Sequence, residues 1–199
     1  NIMRDYVILT DSSCDLPAEL ARELGIEVVS LSLLLDGKEY INYLDGREIG
    51  FKEFYDAIRE GKTATTSAAN IATFKEAMKA IVDQGKDVLY IGFSSGLSAT
   101  VGAGTNAARE LSEEYPDSKI YAVDTLGASL GQGMIVYYAA KKKAEGASIE
   151  EVRDFVESRK LNQAHWFTVD DLNHLKRGGR ISPATAAIGT MLNIKPVMH

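Results

Sequence analysis

Four short segments of this sequence carry clustered hydroxyl groups or paired glycines and arginines. They are Thr10-Asp11-Ser12-Ser13, Thr63-Ala64-Thr65-Thr66-Ser67, Ser94-Ser95-Gly96-Leu97-Ser98 and Arg177-Gly178-Gly179-Arg180. Serine and threonine hydroxyls donate hydrogen bonds to anions, and arginine pairs with carboxylates and phosphates. These residue types therefore point to an anionic head group that is held mainly by neutral donors.

The first and third segments each follow a short apolar run that predicts a buried strand, over residues 6–10 and 87–93. A loop that leads from a strand into a helix lies at the carboxyl edge of an α/β sheet, where ligands bind. Helix N-termini at that edge also present backbone N–H groups. The sequence thus predicts a ligand site whose donors are both hydroxyls and backbone amides.

Residues 94–98, here called the serine loop, give the strongest local signal because they hold three hydroxyls between a strand and a helix. One serine suffices to cap a helix, so plain capping and ligand binding explain the loop equally well. The threonines and serine of residues 63–67 are, taken alone, typical of an ordinary loop. We expect Asp11 to fix a turn and cap a helix rather than to bind a ligand.

Two other chemistries are compatible with parts of this sequence. A nucleophilic Ser95 or Ser98, in a hydrolase or transferase acting on a small anionic substrate, would need a histidine or lysine within hydrogen-bond reach. A nucleotide could bind the glycine-containing run 102–107, but a dinucleotide fingerprint needs its first glycine directly after the strand. We expect that run to permit close helix packing instead. No Walker loop, metal-ligand spacing or Ser-His-Asp pattern is present, so we predict no catalytic residues, metal or cofactor.

Composition narrows the class of protein further. The chain has 199 residues, 45% hydrophobic and 25% charged, which is ordinary for a globular protein. Its net charge of −6 disfavours a nucleic-acid-binding surface. No apolar run reaches the roughly 20 residues of a membrane span, and no signal peptide is recognisable. Asn1-Ile2-Met3 reads as residues ahead of a native start, and the cytoplasm is the expected location.

Strand-like and helix-like segments alternate along the chain, which predicts an α/β fold with a Rossmann-like parallel sheet and helices on both faces. We expect residues 1–161 to form this N-terminal domain. Residues 162–199 would begin a second α/β domain, incomplete here because so few residues cannot bury a core of their own. The predicted strands cover residues 6–10, 27–35, 38–41, 87–93, 120–124 and 165–169, and the main predicted helices cover 51–60, 71–84, 98–115, 128–144, 148–161 and 170–176.

Taken together and in order, these segments resemble the DegV family of bacterial fatty-acid-binding proteins. The resemblance departs from the family pattern at Ala68-Ala69-Asn70, where Gln-Pro-Ser is usual, and at Ala99 and Val101, where glycine and tyrosine are common. The segments that carry it are Thr10-Asp11-Ser12-Ser13-Cys14-Asp15-Leu16-Pro17, Thr66-Ser67, the serine loop, Asp124-Thr125 with Gly131 and Gly133, Leu175-Lys176-Arg177-Gly178-Gly179-Arg180-Ile181-Ser182 and Leu192-Asn193-Ile194-Lys195-Pro196-Val197.

The resemblance implies a long-chain fatty acid bound between two α/β domains, with its tail in an apolar tunnel. It implies a protein without catalysis of its own, which presents the acid to a separate ATP-dependent fatty acid kinase for acyl-phosphate formation. Arg177 is a candidate for docking that kinase. The residues implied to surround the fatty-acid carboxylate are Thr66, Ser67, Ser94, Ser95, Ser98 and Arg180.

Overall fold

The computed structural model describes residues 4–198, which divide into two compact units with the division between Asn162 and Gln163. In the first unit the strands are β1 (Tyr6–Asp11), β2 (Glu27–Val29), β3 (Ser32–Leu35), β4 (Lys38–Ile41), β5 (Ala64–Ser67), β6 (Asp87–Gly92) and β7 (Ile120–Asp124). Its helices are α1 (Ala18–Glu23), α2 (Phe51–Arg59), α3 (Ile71–Val82), α4 (Thr100–Glu114), α5 (Ser129–Ala144) and α6 (Ile149–Arg159).

The main sheet has the strand order β2-β1-β6-β7, and all of its pairs are parallel. Alternate residues of one strand enter different apolar clusters: Leu89 and Ile91 pack with α5 and α6, whereas Val88 and Tyr90 pack with α3 and α4. This alternation follows from the two-residue period of a strand. Helices therefore cover both faces of a parallel sheet, and the predicted α/β fold is confirmed.

A second, antiparallel sheet has the order β4-β3-β5. The single strand predicted over residues 27–35 is wrong, because the chain leaves the main sheet after Val29 and enters the second sheet at Ser32. At the crossing, Leu31 N donates to the buried Ser12 Oγ at 2.9 Å. The polar segment predicted as a loop forms β5, an edge strand in which Thr66 lies opposite Leu33. Solvent on its open side tolerates the polar side chains that a central strand would not.

Side-chain caps fix several helix starts where the sequence predicts them. The Asn70 side chain accepts from Thr73 N at the start of α3. Ser148 and Glu151 form the reciprocal capping box at the start of α6. The last predicted strand of this unit, β7, has the predicted bounds, and α4 begins at Thr100, shortly after the serine loop as predicted.

The second unit contains β8 (Phe167–Thr168), α7 (Leu172–Arg177), α8 (Pro183–Met191) and β9 (Val197–Met198). Strands β8 and β9 pair in antiparallel orientation, and the predicted strand 165–169 is shorter than expected. Helix α8 was missed, although Ser182 caps it and a proline occupies its first turn. Whether residues 162–199 begin a separate domain stays a prediction. Among residues 4–198, no helix combines the length and the apolarity that crossing a bilayer requires.

Candidate functional site

The predicted site region lies at the carboxyl edge of the main sheet, at the point where the strand order reverses. Strand β1 connects through α1 to β2 on one side, while β6 pairs with β1 on the other side. Open α/β sheets bind ligands at such a switch point. The loops that meet there are the short helical turn Ser12–Cys14 after β1 and the serine loop after β6.

Asp11 joins these loops from inside the protein. Its fully buried carboxylate accepts hydrogen bonds from Tyr90 Oη at 2.8 Å, from Phe93 N at 3.1 Å and from Gln132 Nε2 at 3.2 Å. It also accepts from the backbone N–H and the hydroxyl of Ser13. Burial raises the pKa of Tyr90 well above its usual value, and the nearby Asp11 charge raises it further, so the phenol stays protonated as a donor. The expected structural role of Asp11 is confirmed.

The hydroxyls of the first segment serve the fold. Ser12 Oγ is buried and accepts from Leu31 N at 2.9 Å and from Asn42 Nδ2 at 3.3 Å. Ser13 Oγ donates to Asp11, and its contact with Gln132 Oε1 measures 3.1 Å. The Ser12 and Ser13 hydroxyls, which the sequence suggested as ligand donors, therefore hold β1 to α5 and to the crossing between β2 and β3.

All five backbone N–H groups of the serine loop are engaged inside the protein. Ser94 N donates to Gly127 O at 2.9 Å, and Ser95 N donates to the Asp124 carboxylate at 3.3 Å. The next three N–H groups turn back onto Ser94, one to its hydroxyl at 3.2 Å and two to its carbonyl at 3.1 Å. The expectation that backbone amides of this loop are available to an anion is wrong, because the loop uses them for its own turn.

Hydroxyl groups are the donors that remain in the serine loop. Ser95 is exposed, and its hydroxyl has no hydrogen bond within residues 4–198. Ser98 Oγ accepts from Thr100 N at 3.2 Å and lies 2.8 Å from Thr100 Oγ1. When Thr100 donates both bonds, the Ser98 hydroxyl hydrogen is available to a ligand. Ser94 is buried, and its Oγ accepts from Gly96 N at 3.2 Å within the turn. Its predicted role at the carboxylate stays a prediction.

Thr66 and Ser67 belong to the same compact unit but to the other sheet. Both are exposed at the end of β5, which leads into α3. Helix α3 packs beside α4, the helix that follows the serine loop, and Lys75 on α3 pairs with Glu110 and Glu114 on α4. No hydrogen bond of the described residues joins Thr66 or Ser67 to the serine loop. Their shared role at a carboxylate stays a prediction.

Arg177 and Arg180 lie in the second unit. Arg177 is the last residue of α7, and the Arg180 guanidinium donates to Gly178 O in the turn that follows. Both residues are exposed. Their predicted roles, at the carboxylate for Arg180 and in docking for Arg177, stay predictions.

The geometry gives no support to the two alternative chemistries. Within residues 4–198, neither Ser95 nor Ser98 is hydrogen-bonded to a histidine or a lysine. The run 102–107 lies inside α4 rather than in a strand-to-helix turn. A Cβ on Gly104 would lie 2.3 Å from the Tyr90 ring, so this glycine permits close packing of the helix on the sheet, as predicted. In the described part of the chain, no group of three acidic, histidine or cysteine side chains could hold a metal ion.

Two features of the site were missed by sequence reasoning. Asp124, identified from the sequence only as a strand end and as part of the family resemblance, accepts from Ser95 N and also from Leu126 N at 2.9 Å. Leu126 and Leu97, each two residues after a partner in this contact, expose 48% and 36% of their surface, and Leu130 in the first turn of α5 is exposed as well. An aspartate directly before Thr-Leu-Gly is a local turn signal that could have indicated the first feature. Apolar side chains thus border the remaining hydroxyl donors.

Comparison with known proteins identifies the family. A family model described as "Uncharacterised protein, DegV family" matches residues 5–199. A DegV domain-containing protein from Clostridium perfringens is 47% identical over 197 residues, which are 99% of this chain and 67% of that relative. The chain therefore spans about two thirds of the length of this relative.

Two solved structures have the same fold over nearly the whole chain. One is a DegV family protein from Thermus thermophilus described by its fatty acid binding, with 36% identity, a TM-score of 0.81, and coverage of 97% of this chain and 66% of that one. The other is a stearic acid-binding protein from Eubacterium ventriosum, with 27% identity, a TM-score of 0.81, and coverage of 96% and 66%. These matches agree with the motifs in the sequence, and the chain belongs to the DegV family.

Proposed function

We propose that this protein binds a long-chain fatty acid, with the carboxylate near Thr66, Ser67 and the serine loop. The observation that carries the proposal is the juxtaposition of hydroxyls and exposed leucines at the switch point. Ser95 and Ser98 offer neutral donors, and Leu97 offers apolar surface between them in the loop. The exposed Leu126 is held to the same Asp124 carboxylate as Ser95. Such a site suits a ligand with a polar head and a hydrocarbon tail better than a small polar anion.

The two parts of the ligand would contribute differently. Each methylene removed from water adds about 0.8 kcal/mol, so the tail supplies most of the affinity. The hydroxyls orient the head group and satisfy its oxygens, since an unpaired buried carboxylate is strongly unfavourable. The fatty acids described for the related Thermus and Eubacterium proteins support this ligand class.

We further propose that the bound acid lies between two α/β domains, of which residues 162–199 belong to the second. The protein would present the carboxylate, in the cytoplasm, to a separate ATP-dependent fatty acid kinase. The resemblance of Arg177-Gly178-Gly179-Arg180 to the family's second-domain entry supports this role. The arginines would pair with acidic groups of the kinase or with ATP phosphates, because guanidinium groups bind both.

Lipid that co-purifies with the full-length protein tests the ligand. We expect native mass spectrometry and solvent extraction to find a fatty acid of roughly 14 to 18 carbons, the length that the family resemblance implies, with its affinity supplied mainly by buried methylenes. Protein stripped of lipid should then bind a fluorescent fatty acid. Absence of both the extracted lipid and the fluorescent binding refutes the proposed function.

Charge reversal tests the docking role. We expect Arg177→Glu with Arg180→Glu to lower kinase-coupled acyl-phosphate formation at least tenfold more than it lowers fatty-acid binding, since ion pairs with the partner are lost. The control is Arg22→Glu with Arg109→Glu, an equal charge change at two exposed arginines of the first unit. Coupled turnover and binding that fall in the same proportion mean that the arginines serve the ligand alone.

A further inference from the structure

The loop after β7 holds the serine loop through two consecutive backbone donors. Ser94 N donates to Gly127 O at 2.9 Å. Ser95 N donates to the Asp124 carboxylate, at 3.3 Å from Oδ1 and 3.4 Å from Oδ2. Asp124 Oδ1 also accepts from Leu126 N at 2.9 Å, which closes a turn within its own loop. One carboxylate therefore holds the two loops in position relative to each other, directly beside Ser95.

The backbone conformation of Leu126 is a second observation that the turn around Asp124 is held in one geometry. Leu126 has a φ of 54°, in the left-handed region that side chains larger than those of glycine and asparagine rarely adopt. Such conformations persist only where surrounding contacts impose them, and they cluster at functional sites. Here the imposing contact is the hydrogen bond from Leu126 N to Asp124.

The Asp124 charge has a second consequence for an anionic ligand. Within residues 4–198, Asp124 forms no ion pair with a lysine or arginine. Its carboxylate accepts from the Ser95 N–H, so the negative charge lies beside the residue whose hydroxyl is proposed to meet the ligand. A ligand carboxylate at that hydroxyl would meet a like charge, and such repulsion at short range weakens binding by about five- to tenfold at a partly solvated site.

We propose that Asp124 is a positioning residue for Ser95 and Ser98 and that its charge lowers the preference of the site for an ionised over a neutral head group. This inference rests on the proposed function. The two effects need different properties of the side chain. Positioning needs an acceptor oxygen, which asparagine keeps, whereas repulsion needs the negative charge, which asparagine lacks. Alanine removes both.

The test compares palmitate with the corresponding fatty alcohol on the full-length protein. We expect Asp124→Ala to weaken binding of both ligands by about five- to tenfold, the effect of a lost hydrogen bond. Asp124→Asn should bind the alcohol as the wild type does and should raise the ratio of acid to alcohol affinity by about five- to tenfold. Amide hydrogen exchange at Ser95 should accelerate in Asp124→Ala and stay near the wild-type rate in Asp124→Asn, which tests the positioning without any ligand.

Asp87 provides a control because it makes the same kind of side-chain to backbone bond at the opposite edge of the sheet, although its carboxylate also pairs with Arg4 at 3.4 Å. Its Oδ1 accepts from Lys119 N at 3.0 Å, joining the start of β6 to the start of β7. We expect Asp87→Asn and Asp87→Ala to lower the melting temperature while the acid-to-alcohol ratio stays at the wild-type value. Equal ratios in wild type and Asp124→Asn overturn the charge effect, and wild-type affinity with slow Ser95 exchange in Asp124→Ala overturns the positioning. A wild-type protein that binds no fatty acid overturns the proposed function itself.

Discussion

We expect the double substitution of Thr66→Ala with Ser98→Ala to lower the affinity of the full-length protein for a long-chain fatty acid by about two to four orders of magnitude. A hydrogen bond to a charged group contributes about 1.5–3 kcal/mol, and two such bonds sum to that range. Thr66 is exposed at the end of β5, and the Ser98 hydroxyl hydrogen is available when Thr100 donates to its oxygen. Displacement of a fluorescent fatty acid measures the loss.

A stability control is needed because Ser98 also accepts from Thr100 N at the start of α4. Losing that bond costs about 0.5–2 kcal/mol of stability, which thermal unfolding records separately. The matched control is Thr105→Ala with Ser112→Ala, two hydroxyls of α4 that donate to helix carbonyls at 2.8 and 2.7 Å. This control should leave affinity unchanged. Unchanged affinity in Thr66→Ala/Ser98→Ala refutes the proposed position of the carboxylate.

The second large expected effect is a change in the free energy of unfolding, and it has opposite signs at two glycines of α4, Gly104 and Gly102. We expect Gly104→Ala to lower the free energy of unfolding by about 1–3 kcal/mol, the usual effect of overpacking. Its Cβ would lie 2.3 Å from Tyr90 Cε1, and the ring cannot move aside freely because it is fully buried and its hydroxyl donates to Asp11. Gly102→Ala should instead raise that free energy by up to about 1 kcal/mol, since its Cβ meets nothing within 4 Å and alanine favours helix.

Urea unfolding of the two variants beside the wild type measures the difference. Both positions lie within α4, so replacing glycine by alanine brings a similar gain in helix propensity at each. The difference between the two unfolding free energies therefore reports the packing against Tyr90. Equal stabilities of Gly104→Ala and Gly102→Ala would contradict the close packing of α4 on β6. They would also remove the physical explanation for the small residues of the run 102–107.

Patterns within a few neighbouring residues predicted most of the strands and helices of the first unit. The apolar run that becomes β6 and the capping box at Ser148 and Glu151 are signals within a few neighbouring residues, and both are present in the structure. The split of residues 27–35 into β2 and β3 was not predictable in this way. It depends on Leu31 N meeting the buried Ser12 hydroxyl, a partner nineteen residues earlier that no periodicity reveals.

The sequence by itself determined most of the alternation of strands and helices, the parallel sheet and the family, because apolar periodicity and short motifs are local properties. It also located the serine loop at the carboxyl edge, since parallel strands end on the same side. Only the tertiary structure decided which donors of that loop remain available to a ligand. The Ser95 amide is taken by Asp124, twenty-nine residues away, and the Ser94 amide by Gly127. Backbone donors are satisfied by whichever acceptor the fold brings near, so their availability follows from packing and not from the residues beside them.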